Sequence, residues 1–195
     1  MTTPKLKQVL SILCDHLSEK RVPHAIIGAM ALSLYGMPRF TADIDILSDA
    51  QHRKVVLELM KNLDYRCFQD AGNFAQFDSA FGVYGKVDFM FVNADDGRAI
   101  LERFVDIKDE VIGKVPVVQP TDYAVLKLLA MANSPDQKTR DMADLEILFR
   151  SVAAGFLDPS FQPIDIDLLQ KFANRFHVSE QLSTLVTLLD SEKTR

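Results

Sequence analysis

Gly28 to Leu47 reads GAMALSLYGMPRFTADIDIL. The apolar run His24-Ala25-Ile26-Ile27 leads into it and predicts a short buried strand. A glycine after such a run permits a tight strand-to-helix turn. Ala29 to Tyr35 then predicts a short helix, which Gly36 and Pro38 end. Arg39 and Thr41 follow in a loop, and Asp43-Ile44-Asp45 opens a strand that turns apolar. Side chains alternate across a strand, so Asp43 and Asp45 share one face. A later segment, Lys86-Val87-Asp88-Phe89-Met90-Phe91, supplies a third acid. There Val87, Phe89 and Phe91 take one face, and Asp88 shares the other with Met90. A carboxylate in such surroundings needs a partner, because an unpaired buried charge is costly. Asp-x-Asp alone also fits an ordinary surface strand; the glycine turn before it and Asp88 after it set this chain apart. Asp43, Asp45 and Asp88 are therefore the candidate catalytic residues and ligands of Mg²⁺ or Mn²⁺, hard ions that prefer oxygen donors.

His24-Ala25-Ile26-Ile27-Gly28-Ala29, Tyr35-Gly36, Arg39, Thr41 and Asp43-Ile44-Asp45-Ile46 together resemble the nucleotidyltransferase superfamily with the DNA polymerase β-like fold. Within it the chain looks most like the small bacterial enzymes grouped with abortive-infection and toxin–antitoxin nucleotidyltransferases. The resemblance covers about the first two thirds of the chain. A weaker echo continues at Lys127 and at Arg140-Asp141-Met142-Ala143-Asp144. It implies transfer of a nucleoside monophosphate from a nucleoside triphosphate to a hydroxyl acceptor, with pyrophosphate leaving. The acceptor stays open between protein, tRNA and small molecule. By the same resemblance, Gly28, Ala29, Thr41 and Lys127 contact the nucleotide; Arg39 is open between a phosphate contact in the same site and a salt bridge that steadies its loop, since a guanidinium fork suits either. Asp43 and Asp45 hold metal at the phosphates, and Asp88 completes a second ion. Asp141 and Asp144 stand behind Lys127 in a supporting place. One departure is Ala29, where relatives carry Gly or Ser, so a serine hydroxyl contact is absent. That departure keeps a second reading open: a non-catalytic module that binds a nucleotide, or the cognate toxin or antitoxin of a pair.

Composition narrows the field. With 195 residues and 48% apolar content the chain builds a real core. A net charge of −5 argues against a protein held on nucleic acid by bulk charge. Cys14 and Cys67 lie far apart in apolar patterns and read as reduced core thiols of a cytoplasmic protein. No signal core opens the chain, and no apolar run is long enough to span a membrane. His16, His52 and His177 lack i, i+4 partners for metal binding.

The remaining pattern predicts a mixed α/β sheet core backed by helices over 1–119. A helical C-terminal subdomain follows over 120–195, with the active site between the two. Lys5 to Lys20 carries an apolar stripe of helical period. Asp49 reads as the N-cap of a helix over 50–62. Strands are expected at 65–68, 73–77 and 82–92, with 69–72 as a turn-like link. A helix over 96–104 and a hairpin about Gly113-Lys114 close this half. After Pro120 helices are expected over 121–132, 137–151, 166–176 and 179–189. The Lys127 stem lies among Leu126, Leu128 and Leu129, so its ammonium needs an anion, either the Asp141/Asp144 pair or a triphosphate.

Overall fold

The computed structural model describes residues 4–191 apart from 38, 80, 81, 83, 135 and 137. The chain forms two compact units. The first runs to Val118, leaving out Tyr35–Met37; the second holds Tyr35–Met37 and everything from Gln119 onward.

In the first unit, α1 (Pro4–Glu19) is followed by β1 (His24–Ile27), α2 (Gly28–Leu34) and β2 (Asp43–Asp49). A 3₁₀ turn at Ala50–His52 precedes α3 (Arg53–Asn62), the hairpin of β3 (Tyr65–Ala71) and β4 (Phe74–Ser79), and β5 (Lys86–Val92). Then come α4 (Asp95–Glu102), β6 (Val105–Asp109) and β7 (Gly113–Val117). The strands form one seven-stranded sheet in the order β3-β4-β5-β2-β1-β7-β6. The pairs β2–β5 and β1–β7 are parallel and the rest antiparallel, so the sheet is mixed. Its core face carries Ile44 and Ile46 from β2, Val87, Phe89 and Phe91 from β5, and Phe77 from β4, all buried. Phe89 lies edge-on to Phe77 and stacked on Phe91, with centroids 6.0 and 5.9 Å apart. Each such phenyl ring contributes about 1.5–3 kcal/mol on burial. The buried stripe Leu6, Leu10, Leu13 and Leu17 seats α1, which packs on β7 and β2.

Of the two cysteines read as core thiols, Cys14 is buried, but Cys67 is exposed because it lies on the edge strand β3. Several bounds also differ from the sequence reading, each for a local reason. Residues 69–71 extend β3 instead of forming a link, because Gly72 at φ +55° makes a two-residue turn that pairs Ala71 with Phe74. The strand bearing Asp88 starts at Lys86 instead of 82. Gly85 has φ +78°, and a Cβ there would meet the Ala42 carbonyl oxygen at 2.6 Å; Val83 lies outside the described residues. The β6–β7 turn falls at 110–112, ahead of Gly113-Lys114. Asp109 Oδ1 accepts from the N–H groups of Val111 and Ile112 at 2.8 and 3.0 Å, and this sets the turn early. Asp49 caps as expected, accepting from Gln51 N at 2.8 Å, but the first turn is 3₁₀ and the α-helix begins at Arg53.

The second unit is helical: α5 (Pro120–Asn133), α6 (Lys138–Ala153), α7 (Ile166–Phe176) and α8 (Ser179–Ser191). Pro120 stands in the first helical turn, where its missing N–H costs nothing. Asp165 caps α7 through Leu168 N at 2.9 Å. The expected helix start at Gln137 and the chain beyond 191 lie outside the described residues. Tyr35 is buried here, edge-on to Tyr123 and Phe161 with centroids 5.9 and 4.9 Å away. Among the described residues, no helix is long and apolar enough to cross a membrane.

Candidate active site

The acids are placed by strand register. In the parallel pair β2–β5, Asp45 stands opposite Asp88 and Asp43 opposite Lys86. Registered neighbours in a ladder project from the same face, so Asp43, Asp45 and Asp88 share it. All three are half-buried. On the far side of β2, Asp45 pairs with Ile27, the last residue of β1 before the glycine turn. On the far side of β5, Asp88 pairs with Gln76 of β4. A single transverse row thus reads Gln76, Asp88, Asp45, Ile27.

Gly28 brings the turn against this row. It has φ +63°, and a Cβ built on it would overlap the Asp45 carboxylate. Any other L residue would carry left-handed strain of about 1–2 kcal/mol and would also push Asp45 aside. Gly28→Ala is therefore expected to lower stability by at least that amount and to reduce activity through Asp45. Denaturant melts and a transfer assay check it; wild-type turnover in a folded variant would show that the turn does not set the carboxylate. Ala29, next in line, is buried and brings no hydroxyl.

Asp88 has an uneven environment. Gln76 Nε2 donates to Asp88 Oδ2 at 2.9 Å, while Asp88 Oδ1 is buried without a hydrogen-bond partner. An unsatisfied buried acceptor costs roughly 1–3 kcal/mol. Burial pushes the Asp88 carboxyl above its ordinary value; the Gln76 hydrogen bond opposes this, the Asp43 charge adds to it and Lys86 pulls it back. The folded value lies above the unfolded one, so ionised Asp88 costs stability at neutral pH. That cost fades as pH falls through the raised value toward 3.8. In metal-free buffer Asp88→Asn should thus melt higher than wild type at pH 7, with the difference closing near pH 4. A melting series over pH tests this; a variant less stable at pH 7 would mean that the ionised carboxylate has a cationic partner.

These are hard oxygen donors with a buried lone-pair face left over, which suits Mg²⁺ or Mn²⁺. Among the described residues, no three acid, histidine or cysteine side chains are gathered closely enough to hold a metal ion, so the three acids share a face without converging into a ligand set. Carboxylates brought together repel, and one oxygen of Asp88 is engaged by Gln76.

The loop ahead of β2 is tied down at both ends. Ser33 Oγ of α2 donates to the Arg39 carbonyl at 3.0 Å. Thr41 is buried; its Oγ1 accepts from Asp43 N at 3.2 Å and donates to Asp43 O at 3.0 Å. The hydroxyl therefore fixes the backbone of the first acid. Pro38 lies outside the described residues.

Lys127 belongs to the helical unit. Its Nζ donates to Asp141 Oδ1 at 2.7 Å and to Asp144 Oδ2 at 2.8 Å. Asp141 and Asp144 lie three apart on α6 and are 4% and 1% exposed, so this is one cation between two buried carboxylates. The Tyr123 ring lies 5.7 Å from the ammonium. Of the two anions open to Lys127 from sequence, the carboxylate pair is the one it meets. Gln76 is the site residue that sequence reading misses. Nothing in Phe74-Ala75-Gln76-Phe77 marks it, and its place follows only from the β4–β5 register.

The fold is found in solved structures. The antibiotic-resistance factor ANT(2'')-Ia in solution aligns with a TM-score of 0.66 at 16% identity, over 92% of this chain and 97% of that one. An antigenic nucleotidyltransferase-like protein from Paracoccidioides brasiliensis aligns at 0.58 and 19% identity, over 96% and 94%. The lincomycin-bound lincosamide adenylyltransferase LnuA aligns at 0.51 and 21% identity, over 70% and 92%. At these identities the likeness is one of fold. Among curated proteins none matches significantly. The model of one family matches residues 11–193, nearly the whole chain: the chain belongs to the nucleotidyl transferase AbiEii toxin family of the type IV toxin–antitoxin systems.

Proposed function

We propose that this nucleotidyltransferase moves a nucleoside monophosphate from a nucleoside triphosphate to a hydroxyl acceptor, at Asp43, Asp45 and Asp88 and with Mg²⁺ or Mn²⁺. The observation that carries the reading is the shared row of Asp45 and Asp88, closed against Gly28, in a chain of this family. Asp43 and Asp45 would hold the ion at the triphosphate, and Asp88 with Asp45 would hold the one nearer the acceptor. When bound, such ions neutralise phosphate charge and make a hydroxyl a better nucleophile. The chain's own part is positioning. The Gly28-Ala29 backbone receives phosphate where a side chain would intrude. Thr41 fixes the Asp43 backbone, and Ser33 ties down the loop carrying Arg39, whose guanidinium suits phosphate oxygens. Pyrophosphate leaves as the acceptor oxygen bonds to the α-phosphorus. The functional division follows the sequence reading, a transferase core over 1–119 and a helical part over 120–195.

A hydroxyl acceptor gains support from ANT(2'')-Ia, which has been seen with adenylyl-2''-tobramycin. For this chain the acceptor class is left to experiment, with tRNA, protein and small molecules as the candidates. A cognate antitoxin is the partner that the family name suggests. Incubation with each α-labelled nucleoside triphosphate, Mn²⁺ and cell extract tests the proposal. Label entering one product with equimolar pyrophosphate release is expected. Binding of nucleotide with no transfer from any of the four would overturn it in favour of a binding module, the reading that Ala29 favours.

A further inference from the structure

We infer that Gln76 is a positioning residue for this site: its amide holds one oxygen of Asp88 so that the other is presented to a divalent cation. The inference rests on the reading of Asp88 as a metal-bearing acid. Its grounds lie in the sheet. Gln76 and Asp88 are direct partners across β4 and β5, and Asp88 and Asp45 are direct partners across β5 and β2. The amide therefore stands in the same row as both acids. Gln76 Nε2 donates to Asp88 Oδ2 at 2.9 Å, and this leaves Oδ1 buried and without a hydrogen-bond partner. A carboxylate on a strand can turn about its last bond, which is soft. One fixed oxygen removes that freedom and sets where the second one points.

The chemistry of the donor matters as much as its place. A lysine or arginine at position 76 would also orient Asp88, but it would compete with a cation for the carboxylate charge. An amide donates a hydrogen bond and carries no charge. Asp88 thus keeps its full negative charge for a metal while its geometry is held. Groups that orient a ligand in this way change metal affinity by about 10–100-fold when removed. Exposed Lys86 lies two residues from Asp88 on the same face, yet the short hydrogen bond to this carboxylate comes from the neutral glutamine.

The test uses the full chain and four proteins: wild type, Gln76→Met, Gln76→Leu and Asp88→Asn. Methionine and leucine fill the space without a donor, and the second serves if the first does not fold. Mn²⁺ binding is followed by electron paramagnetic resonance in the presence of a non-hydrolysable nucleoside triphosphate, alongside the Mn²⁺ dependence of turnover and the melting temperature. The glutamine variants are expected to bind Mn²⁺ about 10–100-fold more weakly. They should need correspondingly more Mn²⁺ for half-maximal rate and regain most of the rate at saturation. A merely structural glutamine would lower the melting temperature and leave the Mn²⁺ dependence where it was. If Asp88→Asn loses Mn²⁺ binding while both glutamine variants keep wild-type affinity, the positioning role is wrong and the acid assignment stands. If Asp88→Asn itself binds Mn²⁺ and turns over as wild type, the acid assignment fails and the role of Gln76 falls with it.

Discussion

Asp45→Asn should fold like the wild type and transfer almost nothing. Asparagine keeps the volume beside Gly28 and the strand register with Asp88, so the site's shape survives. What goes is one anionic oxygen at the point where the proposed mechanism balances metal and phosphate charge. Removing a single preorganised group of this kind costs about 10²–10³ in rate, and the loss here should reach at least that. The measurement is labelled-nucleotide transfer by the purified variant, with circular dichroism and melting as controls. A variant that labels its acceptor at the wild-type rate would remove Asp45 from the mechanism and, with it, the case for the whole row.

The second large effect is on stability. Lys127→Met should lower unfolding free energy by about 3–5 kcal/mol, because it leaves Asp141 and Asp144 buried without their cation. Against a total of 5–15 kcal/mol for a typical protein this is a large share, equivalent to a fall in melting temperature of about 6–20 °C for a chain of this size. Adding Asp141→Asn and Asp144→Asn to the lysine variant should recover most of the loss, since the repelling charges go as well. Urea melts on the single and triple variants decide the matter. A loss under about 1 kcal/mol would place the cluster with ordinary exposed ion pairs. Weaker nucleotide binding at unchanged stability would instead assign the ammonium to phosphate.

Much of the framework was legible because the signals were local. The strand His24–Ile27 and the helix Ile166–Phe176 fall where apolar spacing and flanking breakers place them. The alternation around Asp88 gave its face correctly, since a strand's period is fixed by backbone geometry alone. Turns are less legible. Gly113-Lys114 looks like a hairpin tip, yet the Asp109 carboxylate closes the turn earlier by taking two N–H groups, a choice that depends on one rotamer. The shared face of the three acids was legible, and the hydrogen-bond partner of Asp88 was not. Gln76 belongs to a strand whose register against β5 brings together two residues twelve positions apart, and no motif spans them. For Lys127 the sequence showed the need for an anion and left two candidates, because distance between α5 and α6 is a tertiary fact.

The Tyr35–Met37 segment has an evolutionary consequence. The polypeptide passes between its two units at 34/35, 37/38 and 118/119, so no single breakpoint separates them. Recombination at residue 119 would deliver foreign helices to a chain that still carries Tyr35, a ring whose socket is built from Tyr123 and Phe161. The incoming helices would have to supply an equivalent socket or leave a large aromatic stranded. Descent of the helical part should therefore be tied to the identity of position 35, and lineages that exchange one are expected to exchange the other.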